Sequence, residues 1–228
     1  CFDRRGVFCE SESGNVFVLI LLGIVLFVAL SLSISRGMRS DTTSNLSKQE
    51  AALAAADILS YAQKVERAVN RLRRDGVSEN DISFNQILVA GYNHTPVVAD
   101  TNKIFHPDGG SISWQAPPEG SNDGSEWEYT GERASDIGTG ATGCDTDSIA
   151  NEELIIVLPN IVDIVCEEIN KRLNISGTPV DTGGGASSTK YQGSFADGTE
   201  IILPGGPFNT ACFSDGTNNH FYSVLIAR

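Results

Sequence analysis

The sequence predicts an α+β protein, with a long N-terminal helix (a membrane half plus an amphipathic half) packed on a small, mainly antiparallel β-sheet domain. Three observations carry this expectation. A 19-residue apolar run, Val16 to Ile34, stands near the N-terminus. Helical periodicity follows it to about Arg74. Beyond Asp75, short β-favouring segments alternate with turns rich in Gly, Pro and Asn. The organisation expected is a leader over 1–14, a transmembrane or assembly helix over 15–35, an amphipathic helix over 36–75 and an acidic α+β domain over 76–228.

The apolar run has no charge, and its only hydroxyl groups are Ser31 and Ser33. As a helix it would be roughly 28 Å long, close to the hydrocarbon thickness of a bilayer. A secretory signal has a shorter apolar region followed by small residues at a cleavage site. Here "SRGMRS" follows, so the run predicts a retained membrane helix. A buried core helix would need protein on every side.

The stretch "SNLSKQEAALAAADILSYAQKVERAVNRLRRDG" reads as an amphipathic helix. Ser47 to Glu50 has capping-box spacing, so a turn is expected to restart there. Leu53, Ala56, Leu59, Val65, Val69 and Leu72 mark one apolar face. Arg71, Arg73 and Arg74 suit the negative end of the helix dipole, and Gly76 is a natural stop. The intervening "SDTTSN" is a poor helix former, a candidate kink or linker.

In the remainder, "DISFNQILVAGYN", "GSISWQAPP" and "SEWEYTGER" read as short strands. Leu154 to Leu158 is a strand or the start of a helix, Pro159 fits a first helical position, and helical spacing runs from Ile161 to Leu173. "GTEIILPGG" reads as a strand, and the last 21 residues as a hairpin whose final strand, "FYSVLIA", belongs inside a sheet, since an exposed edge of that composition would aggregate.

Charge is divided unevenly. The first 75 residues carry ten Lys and Arg against eight Asp and Glu, and the rest carry six against 21, so net charges of +2 and −15 make up the total of −13. An acidic domain repels phosphate backbones, which argues against nucleic acid as a partner. Arginines flank the apolar run equally, Arg4 and Arg5 before it and Arg36 and Arg39 after it, so the positive-inside rule ties. Of the five Cys, Cys144, Cys166 and Cys212 lie in the acidic domain, which suits an oxidising compartment and places that domain outside the cytoplasm. Cys166 with Cys212 is the favoured disulfide, because each sits beside an expected core element; one Cys of the three is left over, and Cys144 stays a candidate.

No catalytic arrangement stands out. The three His form no zinc-protease pattern, "TGGGASS" lacks the lysine of a phosphate loop, and "GSFADG" is not a nucleophile elbow. The expectation is a non-enzymatic protein without a cofactor. Calcium is the one ion the acidic loops could take, with Asp145, Asp147 and Asp215 as weak candidates, although Asp-Gly pairs also simply make turns.

A polar leader ending in Gly, an apolar helix, an amphipathic continuation and an acidic sheet domain with C-terminal Cys together resemble the type IV pilin-like superfamily, which includes pilins and the pseudopilins of type II secretion. "ESG" followed by "NVFVLILLGIVLFVALSLSI" looks like a prepilin-peptidase site, with Gly14 before the cut and Asn15 after it. The stretch Cys166 to Asn170 and the closing "FYSVLIAR" are similar to pilin-like proteins of alphaproteobacteria. The resemblance covers the first 75 residues in arrangement and the rest in style. It implies an inner-membrane, single-pass subunit that assembles through its apolar helix with lipid and with copies of itself or related subunits, its domain extracytoplasmic or in an extracellular filament. It also implies calcium in C-terminal loops of some members, which bears on Asp215. In that reading Val16, Leu19, Gly23, Ala29, Ser31, Ser33 and Ile34 belong to the assembly helix, the small residues among them allowing close approach. One departure stands out: family members typically carry Glu at the fifth mature position, and here that residue is Leu19. The alternative is a single-pass anchored binding module that does not polymerise.

Overall fold

The computed structural model describes residues 14–131, 152–185, 189–195 and 200–228, with the side chains of the first helix described at 20–25 and 47–74. In order, α1 is Gly14–Arg74, β1 Glu128–Thr130, β2 Leu154–Ile161, α2 Asp163–Arg172, β3 Thr210–Ser214 and β4 Asn219–Ile226. Gln49–Arg228 forms one compact unit and Cys1–Lys48 another.

The expected fold is corrected at its first element. Among the described residues no helix is long and apolar enough to cross a membrane. The compact unit that holds the sheet begins only at Gln49, so the whole N-terminal helix is not one element packed on the sheet: only its part from Ala51 onward belongs to that core. The expected restart at Ser47 is also absent, since α1 is helical through 40–50.

From Ala51 onward the helix has a strict buried stripe: Ala51, Ala54, Ala55, Ile58, Tyr61, Ala62, Val65, Ala68, Val69 and Leu72. These positions recur at three and four residues and face one core. Leu53, expected in that stripe, is exposed, because it lies about 160° round the helix from the buried Ala51 and Ala55. Alanines dominate the early part, where Arg172 of α2 donates to Ala52 C=O at 2.9 Å. The helix ends where Gly76 adopts a positive φ of 91°: Val77 N–H donates to Leu72 C=O and Gly76 N–H to Arg73 C=O, satisfying two otherwise orphaned carbonyls. α2 closes in the same way on Asn174, with Ile175 N–H donating to Asn170 C=O.

The sheet is antiparallel, in the order β1-β2-β4-β3. β2 alternates across it: Leu154, Ile156 and Leu158 face the α1 side, while Ile155 and Val157 join a second cluster with Phe213, Tyr222 and Val224. Leu203 and Phe208 pack against that second cluster. Pro159, expected at a helix start, lies within β2 where the register with β4 shifts between Leu158 and Ile161. A bulge is where a sheet tolerates a residue without an N–H. The C-terminal strand does lie inside the sheet, between β2 and β3. Most of 77–127 is irregular: of the expected strands there, a lone bridge of Ser83 with Lys103 forms, and β1 is three residues. Its order comes from stacked aromatics instead. Phe84 stacks on Tyr129 with ring centres 4.2 Å apart, and the Tyr92 hydroxyl accepts from Tyr129 N–H.

Candidate functional site

The feature least explained by the chain's own packing is the apolar stretch of α1. Ile20, Leu21, Leu22, Ile24 and Val25 are all between 55% and 65% exposed. Six successive helical residues sweep every direction around the axis, so this segment is apolar all round and uncovered all round. At its centre Gly23 meets nothing: a Cβ built there has open space in every direction within 4 Å. Glycine inside a helix costs about 1 kcal/mol against alanine, and no neighbour among the described residues requires its smallness. Of the other assembly-helix residues expected from sequence, Val16, Leu19, Ala29, Ser31, Ser33 and Ile34 have no described side chains; Gly14 and Asn15 open the helix as its first two residues.

Cys166 and Cys212 form a disulfide, joining α2 to β3 with Cα atoms 5.4 Å apart. Cys144 lies outside the described residues. The pair has a companion that sequence reading missed. Asn170, one turn along α2 and fully buried, turns its amide against the edge of β3: Cys212 N–H donates to Asn170 Oδ1 at 2.9 Å, and Asn170 Nδ2 donates to Cys212 C=O at 2.7 Å. The side-chain amide thus copies a neighbouring strand at Cys212, beside the bridge of Val180 with Ser214 on the same edge of β3. A buried Asn four residues after a Cys on an amphipathic helix is the only sequence signal for it.

Asp145 and Asp147 also lie outside the described residues. Asp215 is described, and its carboxylate receives donors: Thr217 and Asn218 N–H groups reach Oδ1, each at 2.7 Å, and His220 Nε2 lies 3.0 Å from Oδ2. The two backbone N–H groups, with help from His220, hold its pKa down at about 2. That is a turn cap tying the β3–β4 connection. Among the described residues no three His, Cys, Asp or Glu side chains gather as metal ligands.

A cleft of about 350 Å³ runs beside α1, which contributes Asp57, Ser60, Tyr61 and Lys64, against a wall of Gln115 and Pro118. Asp57, Ser60, Tyr61 and Lys64 are spaced three, four and seven residues apart, so one helix face presents all four. Tyr61 is engaged with Tyr129, hydroxyl to hydroxyl at 3.1 Å, and burial raises the pKa of both phenols. Both rings belong to the buried core. No protein-family model, curated protein or solved structure matches this chain significantly.

Proposed function

We propose that this protein is a non-enzymatic, pilin-like or pseudopilin-like subunit, anchored and assembled through its N-terminal apolar segment, with the acidic domain presented outward. One observation supports it above the rest: Ile20 to Val25 expose apolar surface around the whole helix, with Gly23 unopposed at the centre. Apolar surface of that kind is stable when lipid tails or like helices cover it, and small residues let helix backbones approach. The disulfide favours an oxidising location for the domain, in keeping with an inner-membrane protein whose C-terminal part is extracytoplasmic. The absence of a Glu at Leu19 argues for a minor or terminal position in an assembly, since the usual partner for a neighbour's N-terminal amine is missing.

The test is the intact mass of the protein recovered from native membranes, together with cross-linking of a Gly23→Cys variant. Loss of residues 1–14 and a cross-linked product through position 23 are the expected results. An uncut chain that yields no cross-linked product would replace this reading with that of a lone anchored binding module.

A further inference from the structure

Charge is segregated on the compact unit that begins at Gln49. Lys64, Arg67, Arg71 and Arg74 of α1 follow one another at spacings of three and four residues. They therefore share an arc of about 80° and run for about 15 Å along the helix. All four are exposed, on the side turned away from the buried Tyr61, Val65, Ala68 and Leu72. Glu66, the one acid between Lys64 and Arg74, lies about 120° round the helix from the middle of the arc.

The fold engages every other described Lys and Arg of this unit. Lys103 stands 2.6 Å from Asp100 and Lys171 2.7 Å from Glu168, and Glu79 takes both Arg73 and Arg228, at 2.8 and 3.2 Å. Lys190 donates to Ala90 C=O and Arg172 to Ala52 C=O. On the arc, Arg71 is 3.9 Å from Asp75, while Lys64, Arg67 and Arg74 reach no carboxylate at ion-pair distance among the described residues. Carboxylates are not scarce, since the chain has 29 Asp and Glu against 16 Lys and Arg. The helix dipole accounts for Arg71 and Arg74 in the last turn, but it fades before Arg67 and Lys64. Like charges three and four residues apart repel, so the arrangement works against the helix that carries it. An anionic surface laid along the arc removes that repulsion.

The choice of occupant rests on the assembly proposed above. Residues 76–228 hold 21 Asp and Glu against six Lys and Arg, so a copy brought alongside by the apolar segments presents carboxylates. Two chains of net charge −13 repel over most approaches, and the approach that sets a neighbour's acidic surface on the arc is the attractive one. Four side chains cover less than a stable interface needs, so the contact orients copies that are already held together. Its two faces differ, so it runs head to tail and repeats from copy to copy. We infer that the Lys64 to Arg74 face of α1 docks against the acidic surface of a second copy and sets how neighbours are turned in the assembly.

The experiment uses the full chain carrying Gly23→Cys, as a mixture of isotopically heavy and light copies in phosphatidylcholine vesicles, so that no other protein and no anionic lipid is present. Oxidative coupling through position 23 reads association of the apolar segments. A carbodiimide, which joins an amine to a carboxylate, reads the contact of Lys64. The expected result is a product linking Lys64 of one copy to an Asp or Glu of residues 76–228 of another, formed less as salt rises. Arg67→Glu with Arg71→Glu, at two exposed positions, lowers that product by about tenfold and leaves coupling through position 23 unchanged. Arg67→Gln with Arg71→Gln removes the charges without reversing them and lowers it by about threefold. Lys171→Glu, the same charge change at an exposed cation of α2, leaves it unchanged. Coupling through position 23 with no Lys64 product, or with as much product after the two Glu substitutions as before, would overturn the docking and leave the assembly reading standing. A Lys64 product without that coupling would uphold the docking and remove assembly through the apolar segment, and absence of both would overturn both. Protection of Lys64 from acetylation only when phosphatidylglycerol is added, with no Lys64 product, would make lipid headgroups the occupant and also overturn the inference.

Discussion

Two stretches of the same helix make opposite use of apolar residues. Between Ile20 and Val25 nearly every residue is apolar, and every described large side chain is exposed. Between Ala51 and Leu72 apolar residues are diluted by Lys, Glu, Arg and Gln, yet those on one stripe are almost completely buried. What decides burial within this chain is period, not content. A stripe repeating at 3.6 residues gives one face that a sheet can cover, whereas apolar residues on all sides ask for cover on all sides, which a single sheet face cannot supply.

The contrast breaks most sharply under charge. Val65→Asp places a carboxylate where exposure is nil, within the apolar cluster, so it is expected to destabilise the domain by more than about 4 kcal/mol or abolish folding. Leu21→Asp, at 65% exposure, is expected to change unfolding free energy by less than about 0.5 kcal/mol while eliminating assembly. Chemical denaturation of both variants, with sedimentation of the second, checks the pair. Equal destabilisation would show that the two stretches are packed alike after all.

A smaller effect isolates the covered side of the molecule. The bond between Cys166 and Cys212 closes a separation of 46 residues and restricts the unfolded chain, so replacing both Cys by Ala is expected to cost roughly 2–4 kcal/mol. A shift in the denaturation midpoint at unchanged slope is the expected signature. A negligible cost would mean that Asn170, bonded to the same Cys212 backbone, holds the edge of β3 by itself.

The smallest effect is one of pH. His94 is buried, and burial holds its pKa below the usual histidine range, partly opposed by Asp81 and by a backbone bond at Ile82. The unfolded chain therefore binds a proton that the fold resists, and stability falls as pH drops below about 6.5. Asp215 works in a lower window. Its depressed pKa stabilises the fold above about pH 4, and that contribution disappears as pH falls toward about 2. Denaturation midpoints at successive pH values are expected to show both steps, and His94→Gln is expected to remove only the upper one. A single step near pH 4, unchanged by that substitution, would place the acid sensitivity elsewhere.

Much of the sheet was legible in the sequence. The apolar "FYSVLIA" points to a strand inside the sheet and β4 is one of the two central strands, while the continuous apolar run "LIIVL", open between a strand and a helix start, is the other, β2. The pairing of Cys166 with Cys212 followed from their places beside core elements. The loop-rich region was not legible. "DISFN" and "GSISWQ" have β-favouring composition, but beyond the single bridge at Ser83 their side chains go into the core, Phe84 onto Tyr129 and Tyr191 and Ile112 and Trp114 against the main cluster. Pro159 was misread because a proline at a strand bulge and a proline at a helix start look alike locally.

By itself, then, the sequence determined the helical period of α1, the glycine that ends the helix, the C-terminal strand and the acidity of the domain. Each of these depends on spacing between near neighbours or on composition, which local stereochemistry reads directly. Only the tertiary structure decided which alanines are buried, that Asn170 pairs with a strand edge 42 residues away, and that Gln86 and Trp114 leave buried donors unpaired among the described residues. Those facts depend on which distant groups come to share a few ångströms, and hydrogen-bond partners at such separations leave no periodic trace in the chain.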